Sequence, residues 1–201
     1  MHEKLWQQLE ALERQKTSKR AVCKYLLDPE SYIIKLLNTD YQVNLTKKRI
    51  FAVKTSKKTE TPSFLEQLCL LSYLINAKQL PLAENLVNAK SLPGGVFFFR
   101  GSHILPTDKL KKAFGEKPNL LYESSAKLNA TKRNFGDASV ELFVLPRIPL
   151  IFIIWAGDNE FESRASVLFD KTASEHLPLD ALLAAVNLAV DALIENVEIN
   201  S

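Results

Sequence analysis

Apolar and polar positions alternate in short runs through the first quarter of the chain, then change to helical spacing. Residues 31–37 and 41–45 are strand-like runs joined by Asn38-Thr39-Asp40, a connection with hairpin chemistry. A third short strand, residues 50–53, follows the turn at Lys47-Lys48-Arg49. Ahead of these, Leu5, Trp6, Leu9 and Leu12 fall at helical spacing and predict an amphipathic, peripheral helix over residues 3–15. The basic run from Gln15 to Arg20 ends that helix or loops away from it, and the apolar group at residues 22–27 stops at Asp28-Pro29. A lysine-rich surface loop is expected over residues 54–60.

Ser63 and Glu66 have the spacing of a capping box, just after Thr61-Pro62. The helix they open is apolar nearly all round, from Phe64 through Leu68, Cys69, Leu71 and Leu74 to Ile75, so it belongs in the core. Val96-Phe97-Phe98-Phe99-Arg100 predicts a buried aromatic strand after the Pro93-Gly94-Gly95 turn. Short helices are expected from Thr107 to Gly115 and from Pro118 to Leu128, followed by a polar loop over residues 129–137. Residues 140–145, 148–155 and 165–169 form three strands with short connections, the pattern of an antiparallel meander. The middle strand has no polar alternation, so both of its faces must be covered. Residues 171–177 form a loop. Pro178 then opens a long helix whose apolar face runs from Leu179 through Leu182, Val186, Val190 and Leu193 to Val197, widened by alanines. These elements describe one α+β domain over residues 1–201, built on predominantly antiparallel sheet and flanked by helices, including a buried middle helix and a long C-terminal one.

Composition narrows the function classes. With 201 residues, 46% hydrophobic and 24% charged, the chain can bury a sizeable core. The 26 basic and 23 acidic residues nearly balance, which does not point to nucleic acid. Cys23 and Cys69 have neither zinc-type nor redox-motif spacing, so a reducing cytoplasm is the expected setting. The charged N-terminal pattern does not read as a signal peptide, and no apolar run approaches the ~20 residues of a membrane helix.

The meander separates the acidic groups. Asp158, Glu160 and Glu162 cluster at the tip after Gly157, near Asp137, whereas Asp170 falls at the other end beside the Pro146-Arg147 connection. Glu162 and Asp170 are roughly 26 Å apart at ~3.3 Å per strand residue, so they cannot share a site. The tip carboxylates can hold a hard cation such as Mg²⁺ or Ca²⁺ for a metal-dependent enzyme, or can simply be a solvated hairpin tip. At the other end Arg147 and Asp170 can pair, and His176 lies near a helix start where an anion can bind. Arg100 and His103, after the aromatic run, can add an anion clamp and a ligand or base. The candidate ligand pocket therefore draws on Arg100, His103, Arg147, Asp170 and His176. Catalytic residues and cofactors do not follow from these patterns, and a partner protein that docks on an edge strand or on the first helix is a third possibility.

Several segments together carry a family resemblance: Leu92 to His103 (LPGGVFFFRGSH), Leu145 to Leu150 (LPRIPL), Trp155 to Phe161 (WAGDNEF), Leu168-Phe169-Asp170 and His176-Leu177-Pro178. They resemble a prokaryotic domain-of-unknown-function family of anaerobic bacteria and archaea, some members of which are fused or adjacent to iron–sulfur or corrinoid-related proteins. The resemblance covers mainly the C-terminal half. It implies an accessory protein of anaerobic metabolism that binds a small molecule or cofactor, and it supplies no catalytic residues. This chain has no cysteine cluster for an iron–sulfur centre of its own.

Overall fold

The computed structural model describes residues 2–53 and 61–198. The expected loop at residues 54–60 lies outside the described residues. The chain begins with α1 (Glu3–Glu10) and α2 (Arg14–Ala21), followed by β1 (Lys24–Leu26), β2 (Ser31–Leu36), β3 (Thr39–Asn44) and β4 (Arg49–Ala52). Next come α3 (Phe64–Asn76), β5 (Leu86–Asn88), α4 (Gly95–Phe98), α5 (Thr107–Phe114) and α6 (Leu120–Ala126). The C-terminal part holds β6 (Thr131–Lys132), β7 (Ala138–Leu145), β8 (Ile148–Trp155), β9 (Arg164–Asp170), α7 (Ala173–His176) and α8 (Leu179–Glu198). The architecture is α+β, and the strands form two antiparallel sheets, ordered β1-β2-β3-β4 and β5-β9-β8-β7-β6. The sheets meet where the Leu37 amide donates to the Val144 carbonyl at 2.8 Å.

Local chemistry explains most elements. The Ser63 hydroxyl accepts from the Glu66 amide and the Glu66 carboxylate accepts from the Ser63 amide, closing the capping box that opens α3. Cys69, Leu70, Leu71, Ser72, Tyr73 and Leu74 of this helix are buried. It packs on α8, whose Ala181 and Ala185 keep the interface thin enough for the Cys69 thiol to lie 3.5 Å from the Ala181 carbonyl. The meander β7–β8–β9 is present as expected.

Four expectations are corrected. The N-terminal helix stops at Glu10 because the Arg14 guanidinium takes the carbonyls of Glu10 and Leu12 at 2.8 and 2.7 Å. One face of it packs on α3 through the buried Trp6 and Leu9. The basic run is itself a helix, α2: the Glu13 carboxylate caps it through the Gln15 and Lys16 amides, and Val22 in the left-handed region ends it. The aromatic run is not a strand. Gly94 turns at φ +75°, and Gly95 lies so close to the Ala89 carbonyl that no Cβ fits, which starts the short helix α4. Phe99 is then buried against Phe169, whereas Val96 and Phe97 are exposed. Finally, the loop expected at residues 171–177 contains α7, and its His176 is fully buried.

Strand β8 is covered differently on its two faces. Ile148, Leu150, Phe152 and Ile154 join the main core, against which α5, α6 and α7 also pack. On the other face, Ile151 stands opposite Glu141 and Leu168, Pro149 opposite Phe143, and Ile153 opposite Ser139 and Ser166. Part of this outer face is overlain by residues 136–137, where the Asp137 amide donates to the Ile154 carbonyl at 2.9 Å. Gly136, at φ +56°, sits on it so tightly that a Cβ would lie 2.6 Å from the Ile154 carbonyl and 2.9 Å from the Ile153 side chain. Gly136→Ala is therefore expected to lower unfolding free energy by about 1–3 kcal/mol. Urea denaturation reads this directly, and an unchanged midpoint would contradict the close approach.

Candidate functional site

The last turn of α3 ends in carbonyls that have no helical partner, and a cation supplied from elsewhere satisfies them. The Arg20 guanidinium, from the end of α2, donates to Leu74, Ile75 and Ala77 at 2.8, 2.7 and 2.6 Å. Arg20 in turn accepts at its own carbonyl from Arg147 Nε (2.9 Å), and Arg147 Nη1 reaches the Leu80 carbonyl at 3.0 Å. His176 Nδ1 accepts from the Lys78 amide at 3.2 Å. Asp170 Oδ1 accepts from the Ala83 amide (3.1 Å) and from the Thr172 amide (2.9 Å). The segment from Ala77 to Asn85 is thus fastened at successive points by four side chains from distant parts of the chain.

Three of the five residues expected to form a ligand pocket meet in this clasp: Arg147, Asp170 and His176. Arg147 and Asp170 do not ion-pair among the described residues, because each is engaged with the backbone of the 77–85 segment. Arg100 and His103 lie apart from them, exposed beside α4, where His103 stacks on Phe98 at 4.6 Å and Arg100 lies 5.6 Å from the Phe97 ring.

Burial shapes the titration of the clasp. For Asp170, burial alone would raise the carboxyl pKa, but hydrogen bonds from Thr172 and from the Ala83 and Glu84 amides outweigh it and hold the group below its ordinary value. Burial pushes the half-exposed Cys23 thiol up to about 12, so it is not a thiolate at neutral pH. Among the described residues, two buried polar atoms, the Tyr73 hydroxyl and His176 Nε2, have no hydrogen-bond partner. Since Nδ1 accepts, Nε2 carries the imidazole proton and the ring is neutral.

Burial, followed by the charge of Arg147, lowers the His176 pKa; Asp170 and Glu175 pull it up by less, and Lys78 adds to the lowering. As pH falls, the unfolded chain therefore takes up this proton near pH ~6.5, before the folded protein does. The stability contributed by neutral His176 is full above that value and is lost progressively below it. Denaturation midpoints should accordingly fall as the pH drops below about 6.5, and His176→Asn, which keeps an acceptor for the Lys78 amide, should flatten that slope. Parallel wild-type and variant profiles would refute the assignment.

The acidic tip lies at the far end of the meander, as the register of Trp155 with Arg164 and of Leu150 with Phe169 requires. Asp158 Oδ1 accepts from the Glu160 and Phe161 amides, both at 2.8 Å, and these bonds lower its pKa. Glu162 pairs with Lys111 at 3.0 Å, and Asp137 accepts from the Ala156 amide at 2.7 Å. Among the described residues, no group of three His, Cys, Asp or Glu side chains is arranged to hold a metal ion.

Above the clasp, the outer face of the five-stranded sheet carries a cleft of about 600 Å³. Its floor is Leu86, Asp170, Pro149, Phe143 and Glu141, supplied by four strands; Leu82 and Glu84 form one wall, and Arg133 and Phe135 the other. Arg133 lies 3.9 Å from Glu141 across the floor. Phe135 and Phe143 are 39% and 46% exposed, so both rings can meet a bound molecule. The wall at Leu82 and Glu84 belongs to the segment held by the clasp, and Asp170 takes part in both structures. Asp170 is the one expected site residue that lines this cleft. Glu141 and Phe143 had a sequence signal, since both alternate with the core-facing Val140, Leu142 and Val144. Arg20, Tyr73 and Lys78 had none.

A family model described as a domain of unknown function (DUF3786) matches residues 14–192, and the chain belongs to that family. The match runs through both halves of the chain. No curated protein and no solved structure matches the chain. Among the described residues, no helix is long and apolar enough to cross a membrane.

Proposed function

We propose that this family member binds a small organic cation in the cleft on the outer face of its five-stranded sheet. The carrying observation is the composition of the cleft: three carboxylates, Glu84, Glu141 and the buried Asp170, line it with one guanidinium, Arg133, which lies beside Glu141, and with two exposed phenyl rings. A volume of about 600 Å³ falls within the range of small-molecule sites. Excess negative charge favours a cationic ligand, and the ring faces of Phe135 and Phe143 add cation–π and apolar contact. On this reading the chain acts as an accessory binding protein of anaerobic metabolism in the cytoplasm.

Native mass spectrometry of protein purified anaerobically from its own host tests this. The expected result is an adduct on the wild type that is lost from Glu141→Lys, together with a thermal shift of the wild type by simple organic cations such as choline or spermidine. A bare wild-type mass with no thermal shift, or an adduct that survives Glu141→Lys, overturns the proposal.

A further inference from the structure

Away from the cleft and the clasp, the segment around α4 holds large apolar side chains in water. Val96, Phe97 and Ile104 are 59%, 72% and 63% exposed. Their positions follow from packing beneath them. Phe99 is anchored in the core against Phe169, and Gly95 is pressed against the Ala89 carbonyl. The backbone is thereby held in a turn that leaves Phe97 no inward direction. Ile104 also borders a concavity of about 390 Å³ between β9 and the start of α5, with Ala89, Phe99, Leu105 and Val167 in its lining. Protruding apolar side chains beside an apolar recess make an interaction surface rather than scattered exposure.

The charge around this surface is mainly basic. Residues 90–112 contain Lys90, Arg100, Lys109, Lys111 and Lys112 against Asp108 alone. Lys109 and Lys111 are engaged with Asp191 and Glu162. Lys90 and Arg100, both exposed, flank the apolar residues and form no ion pair among the described residues.

We propose that this surface docks an acidic segment of a partner protein, whose apolar side chain enters the recess beside Ile104 while its carboxylates meet Arg100 and Lys90. The recess has room for one large side chain, and such buried anchors carry most of the energy of protein docking. The basic rim supplies complementarity and speeds encounter. A bilayer would meet the protruding Val96, Phe97 and Ile104 but would leave the recess unfilled and would desolvate Asp108 in its lining. A second copy of the chain would bring a like-charged rim against this one.

Selection of short random peptides against the full chain, followed by fluorescence anisotropy with the enriched peptides, tests the docking. The enriched sequences are expected to place Asp or Glu on both sides of a Leu, Phe or Trp, and to bind more weakly at high salt. Phe97→Ser and Arg100→Glu should each weaken binding about tenfold or more while leaving the melting temperature unchanged, since both side chains are exposed. Co-sedimentation with phosphatidylglycerol vesicles and sizing of the free chain run alongside. The proposal is overturned if no peptides are enriched, if the enriched ones are basic, or if both variants bind them as the wild type does. It is also overturned if the chain sediments with vesicles, or self-associates, through Phe97 while the peptides do not bind.

Discussion

Asp170→Ala should lower the free energy of unfolding by about 2–4 kcal/mol, because it removes the acceptor for several donors inside the fold. The side chain is 2% exposed and accepts from the Ala83 amide, the Thr172 amide and the Thr172 hydroxyl. Alanine leaves these part-buried groups without their acceptor, each at a cost of up to about 1–3 kcal/mol, and water together with relaxation of the 77–85 segment recovers part of it. The folded-state pKa of Asp170 lies below its unfolded value. Its contribution is therefore complete above about pH 4 and is lost as pH falls through the lower folded value. Urea titrations across the acid range should show a shallower acid limb for the variant than for the wild type. A loss below about 1 kcal/mol at neutral pH would mean that Asp170 does not hold the segment. Because Asp170 also floors the cleft, ligand retention should fall with it.

A larger loss is expected at the centre of the meander. Phe152→Ala should cost about 3–5 kcal/mol and lower the melting temperature by on the order of 10 °C. Phe152 is fully buried on the core face of β8, between Val140 and Val167 on the neighbouring strands, and strands held on both sides cannot close over the space left behind. Phe143 provides the contrast. It lies on the opposite face and is 46% exposed, so Phe143→Ala should leave the melting temperature within a few degrees of wild type and weaken ligand binding instead. Calorimetry of the two variants separates core from cleft, and equal melting temperatures would contradict the assignment of the two faces.

Where structure follows from neighbours in the chain, the sequence was legible. The capping box at Ser63 and Glu66, the alanine-rich face of α8 and the all-apolar β8 each carry their signal within one element. The placement of Asp158 and Asp170 at opposite ends needed only strand geometry. The aromatic run at residues 96–100 misled because its β-propensity is overridden by Gly94 and Gly95, which turn the chain before a strand can form. The basic helix α2 was hidden because few of its residues are apolar; a side-chain cap and the docking of Arg20 hold it instead.

The candidate sites belong to the second kind of information. Arg20 and Arg147 are 127 positions apart, and Lys78 and His176 are 98 apart, yet one hydrogen bond joins each pair. No local pattern marks such partners, because the order in which strands and helices pack decides which backbone groups are left for a side chain to satisfy. The sequence by itself determined the α+β class, the meander, the buried α3 and the separation of the acidic groups, since periodicity, capping and strand length act over a few residues. Only the tertiary structure decided that Arg147, Asp170 and His176 clasp a loop, that Asp170 also floors a cleft with Glu141 and Phe143, and that Arg100 and His103 stand elsewhere on an exposed apolar surface.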